Sequence, residues 1–146
     1  LSGVPLTRLN IQDGASQAEV RFEEPNPVKM ESLRYRTGAS EISLYGLGYA
    51  SPAFLNFEGG AGSYTLDFSG TLQQDIIANI SSGVSNVKII IPPGTPARVV
   101  IDGALNNVQP RGTWRIANNV YETDGEGPEI EITVNMGVGN LELVNE

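Results

Sequence analysis

The chain contains no histidine and no cysteine. The commonest general base and zinc ligand is therefore missing, and with it any Ser-His-Asp arrangement. Thiol catalysis, disulfides and thiolate metal sites are excluded as well. Carboxylates are the remaining catalytic stock, because paired Asp or Glu side chains at a fixed separation hydrolyse glycosides. Glu19, Glu41, Asp67 and Glu142 are the candidates, yet each falls at a solvent-facing position on a different repeat and no pair is marked out. Asp124, Glu126 and Glu129 offer the oxygens that Ca²⁺ prefers, but their spacing matches no EF-hand loop and suits an ordinary acidic turn. Gly59-Gly60-Ala61-Gly62 has the composition of a phosphate cradle. Such a loop opens a helix, whereas Ser63-Tyr64-Thr65-Leu66 alternates as a strand. Trp114 and Tyr121 could meet a sugar or a protein, or face each other across a hairpin and cover the fold. The residues thus assign no catalytic, cofactor or metal site and predict a protein that is not an enzyme.

The elements that must carry these residues follow from one pattern. Gly14, Gly38, Gly60, Gly83, Gly103 and Gly137 sit in near-identical settings. Three residues before each stands a large apolar side chain: Ile11, Tyr35, Phe57, Ile80, Val100 and Val134. Ala or Val follows each glycine directly, and in five copies apolar residues recur four and six positions on. The Gly103 copy breaks that rule with Asn107 and Gln109. The spacings are 24, 22, 23, 20 and 34, and a period in the low twenties marks a solenoid. Each copy reads as strand, corner, strand, with the glycine expected at positive φ. Equivalent residues should stack in parallel ladders about 4.8 Å apart. The six apolar residues before the glycines would form one buried file, and Leu44, Leu66, Ile89 and Leu143 another. An antiparallel sandwich is the alternative, but it does not require one corner residue at a constant period.

The length of 146 residues suits one domain, 1–146. No window has a helical period, and no apolar run is long enough to span a membrane. Leu1 is not an initiator Met and no signal peptide is visible, which suggests a processed or cut chain. The formal net charge is −8, with two lysines and seven arginines unclustered. That balance opposes nucleic acid and anionic bilayers. Pro25, Pro27 and the run Pro92-Pro93-Gly94-Thr95-Pro96 mark connections, because Pro cannot donate to a ladder. Gly46–Pro52 reads as another. The 34-residue interval holds an insertion: residues 113–123 are expected to form a hairpin around Ala117-Asn118-Asn119. Leu1–Asn10 would cover the first coil. The final strand near Leu141–Val144 has no evident cover, so Leu141 and Leu143 are candidate contact residues with Trp114 and Tyr121.

The stretch Gly59-Gly60-Ala61-Gly62-Ser63-Tyr64-Thr65-Leu66-Asp67-Phe68-Ser69-Gly70 is the most diagnostic. Together with Arg36-Thr37-Gly38-Ala39-Ser40, Ser82-Gly83-Val84-Ser85-Asn86 and Met136-Gly137-Val138-Gly139-Asn140, it resembles the toast-rack superfamily of bacterial adhesin-type and LiaF-like cell-wall-active-antibiotic response proteins. The resemblance covers nearly the whole chain. It implies a bacterial envelope protein and brings no catalytic motif. The expected fold is all-β: a right-handed single-stranded β-solenoid of about six coils, with a hairpin insertion before the last. The expected function is adhesion, scaffolding or envelope sensing by an extracellular or cell-envelope module. Its partners would be a protein or glycan at the cell surface, or copies of itself. An end-to-end filament subunit is the second reading and a carboxylate-based polysaccharide-active enzyme the third.

Overall fold

The computed structural model describes residues 8–12, 14, 17–23, 30–70, 72–103, 107–112 and 114–145. The described residues are all-β apart from one four-residue helix. In order it forms β1 (Arg8–Gln12), β2 (Gln17–Arg21), β3 (Ser32–Arg36), β4 (Ala39–Tyr45), α1 (Leu47–Ala50), β5 (Phe54–Asp67) and β6 (Ile76–Ile90). There follow β7 (Ala97–Gly103), β8 (Asn107–Gly112), β9 (Arg115–Ala117), β10 (Val120–Thr123) and β11 (Ile130–Asn145). Ile, Val, Leu and aromatic residues fill most of the inward positions of the long strands, as a pleated and half-buried surface favours.

Two parallel ladders run through these strands. The first has the order β1-β3-β5-β6-β11-β7, and β10 and β9 extend it antiparallel. The second joins β2, β4, β5, β6, β11 and β8, all parallel. β5, β6 and β11 are long enough to belong to both. At the glycine their alternation changes phase: in β6 the buried residues Ile76, Ala78, Ile80 and Ser82 give way to two exposed ones, Gly83 and Val84, and burial resumes at Ser85. That flip carries the apolar side to a common interior from both ladders.

The interior is built of files. Ile11, Tyr35, Phe57, Ile80 and Val134 are in register. Tyr35 and Phe57 stack at 5.6 Å, and Phe57 meets Tyr64 edge-on at 5.0 Å. Leu44, Leu66, Ile89 and Leu143 form a second file, with Val20 at its start.

The fifth repeat departs from its expected register by one residue. Ile101, not Val100, is paired with Val134, and Val108 is paired with Leu141. Both pairings place the corner equivalent at position 104, outside the described residues, so Gly103 is not the counterpart of the other glycines; it pairs with Met136. This is why Asn107 and Gln109 broke the pattern. A shift of one residue turns every side chain to the opposite face, and the core takes Ala97 and Val99 while Val100 turns outward beside Thr133.

Expected positive φ at the corners is also corrected. Gly14, Gly38, Gly60, Gly83 and Gly137 all have ordinary φ. Their constraint is proximity instead. A Cβ on Gly38 would lie 2.6 Å from the Gly14 carbonyl oxygen. On Gly60, Gly83 and Gly137 it would lie 3.0–3.1 Å from the carbonyl oxygen of the glycine in the neighbouring strand. The left-handed requirement falls two residues later, at Gly62 (φ 148°) and Gly139 (φ 142°), where a Cβ would sit 1.8 Å from the carbonyl oxygens of Ser40 and Ser85.

The last repeat does not lie at the end of the stack. β11 is threaded between β6 and β7 in the first ladder and between β6 and β8 in the second. Leu141 and Leu143 are therefore fully buried and paired on both sides. The expected open edge at Leu141–Val144, and with it the motive for a filament built through that edge, is absent. The expected cover at Leu1–Asn10 lies mostly outside the described residues; only Arg8, Leu9 and Asn10, in β1, belong to them. The connection after β4 holds α1, which the sequence did not announce. Ser51 (φ 45°) closes it, donating through Oγ to the Gly48 carbonyl at 2.5 Å.

Candidate binding surfaces

Since every parallel pair is in register, outward side chains also stand in rows. Over the first ladder, one row reads Asn10, Arg34, Asn56, Asn79 and Thr133. The adjoining row contains Arg8, Ser32, Phe54 and Ile77. Phe54 and Ile77 are paired neighbours that remain 59% and 43% exposed. The rows enclose a shallow cleft of about 350 Å³ whose walls include Arg8, Asn10, Arg34, Phe54, Asn56 and Asn79. Among the described residues no Asp or Glu lines it. Arg8 is held by Glu31 and Arg36 by Glu58, each at 2.9 Å, while Arg34 forms no ion pair among the described residues.

A second cleft, about 340 Å³, lies over the other ladder. Ser63, Thr65, Asn86, Lys88, Asn140 and Glu142 are among its walls. Asn140 donates through Nδ2 to Oδ1 of Asn86 at 3.0 Å, so two of its amides already satisfy each other. Between the two faces runs the corner ridge, where Ala39, Ala61, Val84 and Val138 follow their glycines and all are exposed. Below the ridge Ser82 and Ser85 join their hydroxyls at 2.6 Å, and Thr37 and Ser40 do likewise. The neighbouring strands carry Gly62 and Gly139 beside those serines.

The candidate carboxylates are not brought together. Glu19 is bound to Arg21, Glu41 accepts from Gln17 at 3.2 Å, Asp67 caps the Ser69 amide at 2.9 Å, and Glu142 pairs with Arg111 at 3.1 Å. The hydrogen bond that Arg21 donates to Glu19 raises the Arg21 pKa above its ordinary value, and Arg21 also lies 4.5 Å over the Tyr45 ring. Asp124 pairs with Arg115 at 2.7 Å, while Glu126 and Glu129 point to solvent. No group of three acidic residues converges as a metal site among the described residues. Gly59-Gly60-Ala61-Gly62 runs through the middle of β5 and opens no helix.

The aromatic pair is separated. The partner of Tyr121 across the hairpin is Ile116, not Trp114. Trp114 and Tyr121 are both half-buried against the core. Trp114 donates through Nε1 to the Arg111 carbonyl at 2.8 Å, on the outermost strand of the second ladder.

The row Asn10, Arg34, Asn56 and Asn79 went unnoticed in the sequence although its signal was present. Each stands four residues before a corner glycine, as does Thr133. Attention to apolar periodicity passes over a polar residue that repeats with the same period.

No helix of the described residues is long and apolar enough to cross a membrane. No protein-family model and no curated protein matches the chain. Among solved structures, it is similar to one reported as a "putative cell adhesion protein" from Clostridium sporogenes ATCC 15579, with a TM-score of 0.83 and 16% identity over 99% of this chain and 94% of that one. At that identity the likeness is one of fold.

Proposed function

We propose that this chain is a non-enzymatic β-solenoid module of the cell surface or envelope, acting in adhesion, scaffolding or envelope sensing through its outward faces. In this reading the two ladders are successive sides of right-handed coils, about six in number, of the toast-rack kind. The observation that carries it is the register: polar side chains stand in rows on both outer faces while the carboxylates are dispersed and paired. A surface of that kind offers many weak, repeated contacts and no concentrated chemistry. The fold shared with a protein reported as a "putative cell adhesion protein" supports the same reading.

The test is retention of the fluorescently labelled protein on intact bacterial cells and on purified cell-wall sacculi, with reducing ends measured in parallel. Saturable retention without release of reducing ends is expected. No retention on either surface, together with release of reducing ends, would overturn the proposal in favour of a carboxylate-based polysaccharide-active enzyme.

A further inference from the structure

The cleft over the first ladder is set apart by its charge. The whole chain carries a formal net charge of −8, yet two arginines and three asparagines line this cleft and, among the described residues, no carboxylate does. Arg34 stands in register between Asn10 and Asn56, on strands about 4.8 Å to either side. Its neighbours Arg8 and Arg36 are engaged by Glu31 and Glu58, and Arg34 has no ion-pair partner among the described residues. A planar guanidinium matches a carboxylate bidentately. The flanking amides each offer both a donor and an acceptor, which is what hydroxyl groups on either side of that carboxylate require. Phe54, 59% exposed on the adjoining row, presents an apolar ring at the same cleft.

We propose that this cleft binds the carboxylate of a uronic-acid residue in an acidic polysaccharide, with Arg34 on the carboxylate, Asn10 and Asn56 on ring hydroxyls, and Phe54 against the sugar's apolar face. The proposal rests on the surface-binding function above and specifies its ligand. An acidic peptide is the less suitable occupant. Extended peptides gain affinity by adding to a free strand edge; the terminal strand here is β1, and a strand added beyond it would lie two strand spacings, about 9.6 Å, from β3 and its Arg34.

Calorimetric titration with oligogalacturonate tests it, using the intact chain. Binding is expected for the free acid, and absent for the fully methyl-esterified oligomer and for dextran. Arg34→Gln should weaken binding by about tenfold or more, the loss expected for a charge-assisted contact. Phe54→Ala should weaken it several-fold, while Lys88→Gln on the other face should leave it unchanged. Thermal melting of each variant separates a lost contact from a lost fold. Unchanged binding by a folded Arg34→Gln, or equal binding of the esterified oligomer, overturns the site. Tighter Arg34-dependent binding of polyglutamate overturns the ligand class in favour of an acidic peptide. Retention on cells without oligogalacturonate binding refutes this site while leaving the surface module standing.

Discussion

Gly62 shows how a single residue is constrained in this molecule. Its φ is +148°, and a side chain there would meet the Ser40 carbonyl oxygen at 1.8 Å. Strained backbone costs about 1–3 kcal/mol, and the approach of the neighbouring strand adds to that. Gly62→Ala is therefore expected to lower stability by at least about 1–3 kcal/mol. Gly14→Ala has nothing among the described residues within 4 Å of its new methyl group and should lie within about 0.5 kcal/mol of wild type. Urea midpoints compare the two directly. Gly38→Val remains disruptive because its Cβ would press on the Gly14 carbonyl at 2.6 Å, with backbone sign playing no part. The sequence announced the glycines by their spacing but not their reason. Contact between adjacent strands is a property of the stack and leaves no local mark, whereas a turn would.

At the scale of the element, the strands were largely legible because alternation reports burial. Ile11, Tyr35, Phe57, Ile80 and Val134 stack as their common spacing implied. Phe57 is fully buried between Tyr35 and Tyr64, and Phe57→Ala should cost about 3–5 kcal/mol in equilibrium unfolding. The fifth repeat, at β7, reads one residue out of register in the sequence, because Val100 and Ile101 are both apolar and the glycine at 103 pulls the frame toward Val100. Val99→Asn, at a fully buried position, should destabilise strongly, while Val100→Asn, half-buried and outward, should cost far less. Thermal melts of the two variants settle the phase. α1 was invisible for a different reason: four residues are too few to display a helical period.

At the scale of the whole molecule, the decisive feature is the threading of β11. Successive repeats normally stack in chain order, since neighbours in sequence are usually neighbours in space, and the sequence carries no sign that the last repeat enters between the fourth and fifth. The consequence is that the C-terminal strand is an inner one. Glu142→Pro removes an amide from a strand paired on both sides by β6 and β8. It should lower stability by about 1–3 kcal/mol, the cost of an unsatisfied buried group, where a free edge would tolerate it. The outer strand on that side, β8, carries Pro110, which has no amide to offer an added strand, so that side resists strand addition.

Cysteine pairs test the threading most directly, because the chain has no cysteine of its own. Ser81, Asn135 and Asp102 are exposed and lie side by side in register, with Asn135 in the middle. Adjacent strands are about 4.8 Å apart, within bridging range, and alternate strands about twice that, beyond it. Under oxidation, cysteines at 81 and 135 should bridge, and so should those at 102 and 135, while the pair at 81 and 102 should stay reduced. A rapid bridge between 81 and 102, with none between 81 and 135, would mean that the repeats stack in chain order and would contradict the account.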